Sequence, residues 1–182
     1  MKLQVCAGTR THVITAVEVL ETDGHDAPYL PGLVATTAET FTVREVSADK
    51  GYSSVDAHNS VAAVGGTPFI AFKSVATGWS GGLFGQMFHY FQYRRDEFLK
   101  HYHKRSNVES VFSALKRKHG DSLRSKTKPA MLNDVLCKCL CHNLCVLIQE
   151  QEELGIAPEF WTDDEPAEDS MILKFPARSK IG

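Results

Sequence analysis

Apolar positions recur along the chain with two different periods, and the change between them divides it. In the first part the apolar runs are short and β-branched. His12–Leu20, HVITAVEVL, has the make-up of a strand, and the opening KLQVCAG predicts a second strand joined to it by a hairpin. TDGHDAP is turn chemistry, with Pro28 placed to open a helix through Leu30, Leu33 and Val34. TVREVSADKGY predicts a strand running into a break at Asp49–Gly51, and TPFIAFK another strand. Between them SSVDAHNSVAAVGG predicts a short helix, with Ser53 and Asp56 as a capping box and Gly65–Gly66 as its stop. After the loop SVATGWSGG the pattern turns helical from Leu83 and stays so until about Leu154. Strands interleaved with helices and then an all-helical half argue for an α/β sheet packed by helices.

Two helical stretches bear on chemistry. In His101–Gly120, Val108, Val111, Phe112 and Leu115 fall at i, i+3, i+4 and i+7, one face of an amphipathic helix. With Arg105 set at zero and about 100° per residue, Glu109 lies near 40°, Lys116 near 20° and Tyr102 near 60°. Those four residues share a stripe beside the buried face. A Glu four residues after an Arg is also an ordinary surface pair, worth about 0.3–0.5 kcal/mol. In CKCLCHNLC, Cys137, Cys139, Cys141 and His142 could ligate a metal, but the paired CxxC knuckles of structural zinc sites are absent. The alternative is a buried helix, with Cys137, Cys141 and Cys145 packing as small hydrophobes beside Leu140, Leu144 and Ile148.

Charge distribution changes the picture more than composition does. The 182 residues carry a formal charge of −2 and 43% hydrophobic content, enough for one core. Between Arg94 and Lys128, however, eleven Lys/Arg face four Asp/Glu, whereas Gln149–Ser170 holds nine Asp/Glu and no Lys/Arg. The basic block suits a polyanionic partner or a solvated helix face; the acidic one suits a linker or tail. The expected organisation is a domain at 1–155 and an acidic, flexible tail at 156–182, in which EFW and MILKF show no period. MKLQVCAGTR lacks a secretory apolar core, and no run approaches eighteen apolar residues, so a soluble intracellular protein without a membrane partner is expected. No GxGxxG or P-loop motif occurs, so nothing in the sequence supports a nucleotide-binding enzyme.

Asp49 in VSADKGY sits where a strand ends, the place from which carboxylates of open α/β sheets face a ligand crevice. An Asp before Lys-Gly is equally a turn residue. ADKGY, followed by Tyr102, Arg105, Glu109 and Lys116 with intervals of two, three and six residues and with Glu109 sixty positions after Asp49, resembles the bacterial insertion-sequence DDE transposases. The flanking FHYFQYRRDEFLKHYHKRSNVESVFSALKRKHGDSLRSKT and LCKCLCHNL are also similar to that family, so the resemblance covers about Lys2 to Ile148.

The resemblance implies a ribonuclease H-like fold in which Asp, Asp and Glu hold two divalent cations, Mg²⁺ or Mn²⁺. Asp49 would be the second acidic ligand and Glu109 the third. Arg105, Lys116, Lys104 and Lys50 would contact the phosphates of double-stranded transposon-end DNA, with Tyr102 packed beside them. It also implies a cytoplasmic, nucleoid-associated protein, with a homodimer as a compatible assembly. Hard cations take oxygen ligands, and a metal pair stabilises both attacking and leaving oxygens of a phosphodiester. In the family the first catalytic Asp lies on a strand upstream of the one KLQVCAG resembles, so this chain is expected to lack that strand and to be a truncated catalytic domain. Asp23 and Asp26 are expected as turn and cap residues rather than substitutes. The expected activity is transposition chemistry by descent, with little strand transfer by the chain alone; a catalytically inactive DNA-binding remnant is the alternative.

Overall fold

Four short strands form two separate pairs, each wrapped by helices, in a computed structural model that describes residues 1–21 and 25–155. β1 (Lys2–Ala7) and β2 (Ile14–Leu20) make the antiparallel hairpin that their alternating apolar residues dictate, in register from Lys2–Leu20 to Val5–Val17. Past a short 3-10 turn, α1 (Leu30–Thr40) buries Leu30, Leu33 and Val34. β3 (Glu45–Ala48) then pairs in parallel with β4 (Thr67–Ile70), and α2 (Val55–Ala63) forms the crossover between them. Leu30, Val34, Ala48, Ala57, Val61 and Ile70 form the core beneath this second pair.

Four helices follow: α3 (Gly82–Tyr93), α4 (Arg95–Tyr102), α5 (Ser106–His119) and α6 (Lys128–Leu154). α3 and α4 close an aromatic core in which Phe98, fully buried, meets Phe69, Phe72 and Phe91 edge-on or tilted. α5 and α6 cover the β1–β2 hairpin through Val111, Leu115, Val135 and Cys139.

β1 and β3 face one another across a groove of about 1350 Å³ without pairing. Consecutive residues of both, Lys2–Ala7 and Glu45–Ala48, line it. A strand shows alternate residues on a face, so an unbroken run marks the strands' backbone edges as the groove walls. Each pair thus exposes an unpaired edge to the same space.

Four sequence expectations change. The cap of α2 is Ser54, whose Oγ accepts from the Ala57 amide at 3.1 Å; Ser53 lies one residue outside. His101–Gly120 is not one helix, because a 3-10 turn at His103–Arg105 separates α4 from α5. Two hydroxyls take carbonyls at that joint: Ser47 Oγ donates to the His101 carbonyl and Ser106 Oγ to that of His103, both at 2.9 Å. α6 also buries the opposite face from the one expected. Cys139, Val135 and His142 are inside, whereas Cys137, Cys141, Leu140, Leu144 and Ile148 are exposed. The reason is polar: Asn143 grips the Ile14 backbone twice, accepting from its N–H and donating to its C=O, both at 2.8 Å. His142 Nε2 adds a 3.0 Å bond to the His12 carbonyl. These bonds satisfy the outer edge of β2 and orient the helix. α6 is by length and composition also apolar enough to cross a bilayer, unlike the sequence expectation. The assignments at Asp23 and across the tail from 156 onward lie outside the described residues.

Candidate catalytic corner

The sequence Glu45-Val-Ser-Ala-Asp49 alternates polar and apolar, so β3 sorts its side chains by face. Val46 and Ala48 enter the core with Ile70. Glu45, Ser47 and Asp49 form a polar row turned toward the joint between α4 and α5. Glu45 Oε2 meets His101 Nδ1 at 2.7 Å, and Lys104 Nζ donates to Oε1. The His101 ring stacks on Phe69, with centroids 4.3 Å apart and planes 9° from parallel. Burial alone would raise the Glu45 carboxyl, but hydrogen bonds and charge from Lys104 and His101 outweigh it and hold it below the ordinary range.

Asp49 closes the row at the strand end. Its side chain accepts from the Lys50 amide at 2.7 Å and caps the 3-10 turn Lys50–Tyr52. It is exposed, as is Lys50. Across the joint, Arg105 pairs with Glu109 at 3.0 Å, and its guanidinium lies 5.6 Å from the centroid of the Tyr102 ring. Burial would lower the Arg105 pKa; Tyr102, Asp49 and Glu109 together push it up instead. Arg105 thus pairs with Glu109 and lines the same groove as Asp49, sixty residues before Glu109 in sequence. Lys116 is exposed two turns further along α5, about 10 Å from Glu109 at 1.5 Å rise per residue. Lys104, grouped with the phosphate-binding residues by its sequence neighbours, is engaged by Glu45.

Asp26 takes a role that turn chemistry did not suggest. It makes no side-chain cap bond to the 3-10 turn it precedes. Instead its Oδ1 accepts from Gln4 Nε2 at 2.7 Å and from Lys2 Nζ, tying the turn to β1. Its other oxygen lies 3.1 Å from where a Cβ on Gly51 would sit, so the ADKGY turn packs closely against Asp26 there. Burial, then Asp26, Cys6 and Asp49, push Tyr52 up to about 12, which places Asp26 and Asp49 in one electrostatic neighbourhood. Asp26, Asp49, Lys104 and Arg105 all line the groove between the sheets. Glu45 could have been found from the alternation of EVSAD; Asp26 and its two partners leave no periodic signal.

Asp49 and Glu109 are accessible oxygen donors, and Mg²⁺ is characteristically held by one or two carboxylates together with substrate phosphates and water. The corner therefore fits a hard divalent cation. The cysteine-rich stretch fits less well, since His142 is committed to a backbone carbonyl, Cys139 is buried and Cys137 and Cys141 face outward. Among the described residues no three His, Cys, Asp or Glu side chains cluster as a ready metal site.

A family model described as transposase DDE domain matches residues 1–144. No curated protein and no solved structure matches the chain. The chain belongs to the DDE transposase domain family, whose members carry out DNA transposition, generally with divalent metal ions.

Proposed function

From this membership we propose that residues 1–155 are part of a transposase catalytic domain of ribonuclease H-like type that grips transposon-end duplex DNA in the cytoplasm, with 156–182 as an acidic appendage. The observation that carries it is the Arg105–Glu109 pair at 3.0 Å, with Arg105 and Asp49 lining the same groove. Asp49 and Glu109 would hold Mg²⁺ or Mn²⁺, which when bound stabilises charge on the attacking and leaving oxygens of a phosphodiester. Arg105, Lys116 and Lys50 would neutralise and position the phosphates, and Tyr102 holds the Arg105 guanidinium in place beneath them. In the absence of DNA, Arg105 supplies the positive charge that keeps two carboxylates from repelling.

Support for a third carboxylate entering on a separate strand comes from the groove. Its walls are the backbone edges of β1 and β3, and Asp49 and Arg105 line the same space. A strand lying there, antiparallel to β1 and parallel to β3, would join the two sheets into one. The domain described here is proposed to lack that strand and to be inactive in strand transfer alone. A second reading, a DNA-binding remnant without chemistry, is favoured by the 3.0 Å Arg105–Glu109 pair, which already neutralises one ligand.

Duplex oligonucleotides with and without Mg²⁺ test both the DNA grip and the inactivity. Binding that weakens steeply with salt, without Mg²⁺-dependent nicking, is the expected result for the chain alone. Nicking lost on Asp49→Ala would contradict the inactivity. No salt-dependent binding at all would contradict the DNA-gripping role.

A further inference from the structure

The polar row on β3 does more than line the corner. Its first two members grip the α4–α5 joint at three points: Glu45 to the His101 ring, Glu45 to Lys104, and Ser47 to the His101 carbonyl. The third member, Asp49, is left exposed. Immediately beyond the gripped residues come Arg105 and then α5 with Glu109. We propose that Glu45 is a positioning residue, clamping the α4–α5 joint onto β3 and so setting where Glu109 stands relative to Asp49; this rests on the cation-site assignment above.

Geometry separates the clamp from ordinary surface pairing. The Glu45 side chain is 23% exposed and uses both oxygens on partners from one turn of chain, 56 and 59 residues away. The stacking of His101 on Phe69 fixes its ring from the other side, so the carboxylate meets a preoriented donor. The 3-10 turn at His103–Arg105 lacks the regular i→i−4 ladder that would otherwise hold Glu109 in register with α4. Without the clamp, α5 retains its packing through Val111 and Leu115 on the β1–β2 side, on the far side of the groove from Asp49. The clamp is thus the direct polar tie between the Asp49 strand and the start of the Glu109 helix. It also explains why Lys104 stands among phosphate-binding neighbours without being free for phosphate.

The experiment is amide hydrogen exchange by mass spectrometry on the full chain, with Mn²⁺ titration followed by water-proton relaxation on the same samples. The variants are Glu45→Gln and the reciprocal pair Glu45→Lys with Lys104→Glu. In Glu45→Gln, amides at 103–109 should exchange roughly tenfold faster, as expected for losing a hydrogen bond to a charged group. Those of α2 and β4 should keep their rates. Mn²⁺ affinity should fall roughly tenfold, the scale seen when a residue orienting a ligand is removed. The reciprocal pair should recover part of the protection. Exchange that is unchanged at 103–109, or faster everywhere alike, overturns the proposal, as does unaltered Mn²⁺ affinity. Failure of the unaltered chain to bind Mn²⁺ would count against the cation site, leaving the clamp to be judged by exchange alone.

Discussion

Two glutamates meet basic residues of the same segment, yet their surroundings set them apart. Glu45, on β3, is 23% exposed and held by both His101 and Lys104; Glu109, on α5, is 62% exposed and, among the described residues, held by Arg105 alone. The first pairing is long-range and braced by an aromatic stack, the second a local i,i+4 contact that solvent competes with. The difference teaches which carboxylate is structural and which is available. A group fixed by two partners and lowered in pKa has little capacity left for a cation, whereas an exposed one can exchange its guanidinium for a metal and phosphate without breaking the fold.

The largest effect should come from the aromatic core that supports the clamp. Phe98→Ala empties a fully buried site between Phe69, Phe72 and Phe91, and should cost about 3–5 kcal/mol in urea unfolding. A loss below about 1 kcal/mol would mean that α4 is not anchored as described. Next, Asn143→Ala leaves both backbone groups of Ile14 unpaired at the edge of β2 and should cost about 2 kcal/mol, with exchange rising first at Val13–Thr15.

The glutamates themselves follow. Glu45→Gln should cost about 1–2 kcal/mol and Glu109→Gln at most about 0.5 kcal/mol; equal costs would erase the distinction drawn between them. The smallest effect is the pH dependence of that difference. Because the folded state lowers the Glu45 pKa, its contribution is complete above the carboxylate range of the unfolded chain and disappears as pH falls through the lowered folded value. Wild type and Glu45→Gln should therefore converge in stability on strong acidification and stay apart at neutral pH. A gap that widens in acid would contradict the lowered pKa.

Much of the fold was legible because it follows hydrophobic period. The β1–β2 hairpin, the Leu30–Leu33–Val34 face of α1 and the Val111–Leu115 face of α5 all obey it. The structure departs from expectation where a polar contact overrides the period. Apolar residues run nearly all round α6, so the face buried was decided by Asn143 and His142 against β2, which no periodicity reveals. The joint at His103–Arg105 contains neither proline nor glycine; it follows from hydroxyls of Ser47 and Ser106, one of them more than fifty residues away. In the candidate corner, Asp49, Arg105 and Glu109 came from the resemblance to the transposase family, Glu45 was hidden in an alternation read only as a strand, and Asp26 required knowing that β1 passes beside its turn.

The most direct test of the convergence of Asp49 and Glu109 is Mn²⁺ binding by water-proton relaxation in wild type, Asp49→Asn, Glu109→Gln and the double variant. One shared site predicts that each single change removes most of the relaxation enhancement and that the double change adds little further. Losses that simply add, or enhancement that survives both changes, would show that the two carboxylates do not serve a common cation.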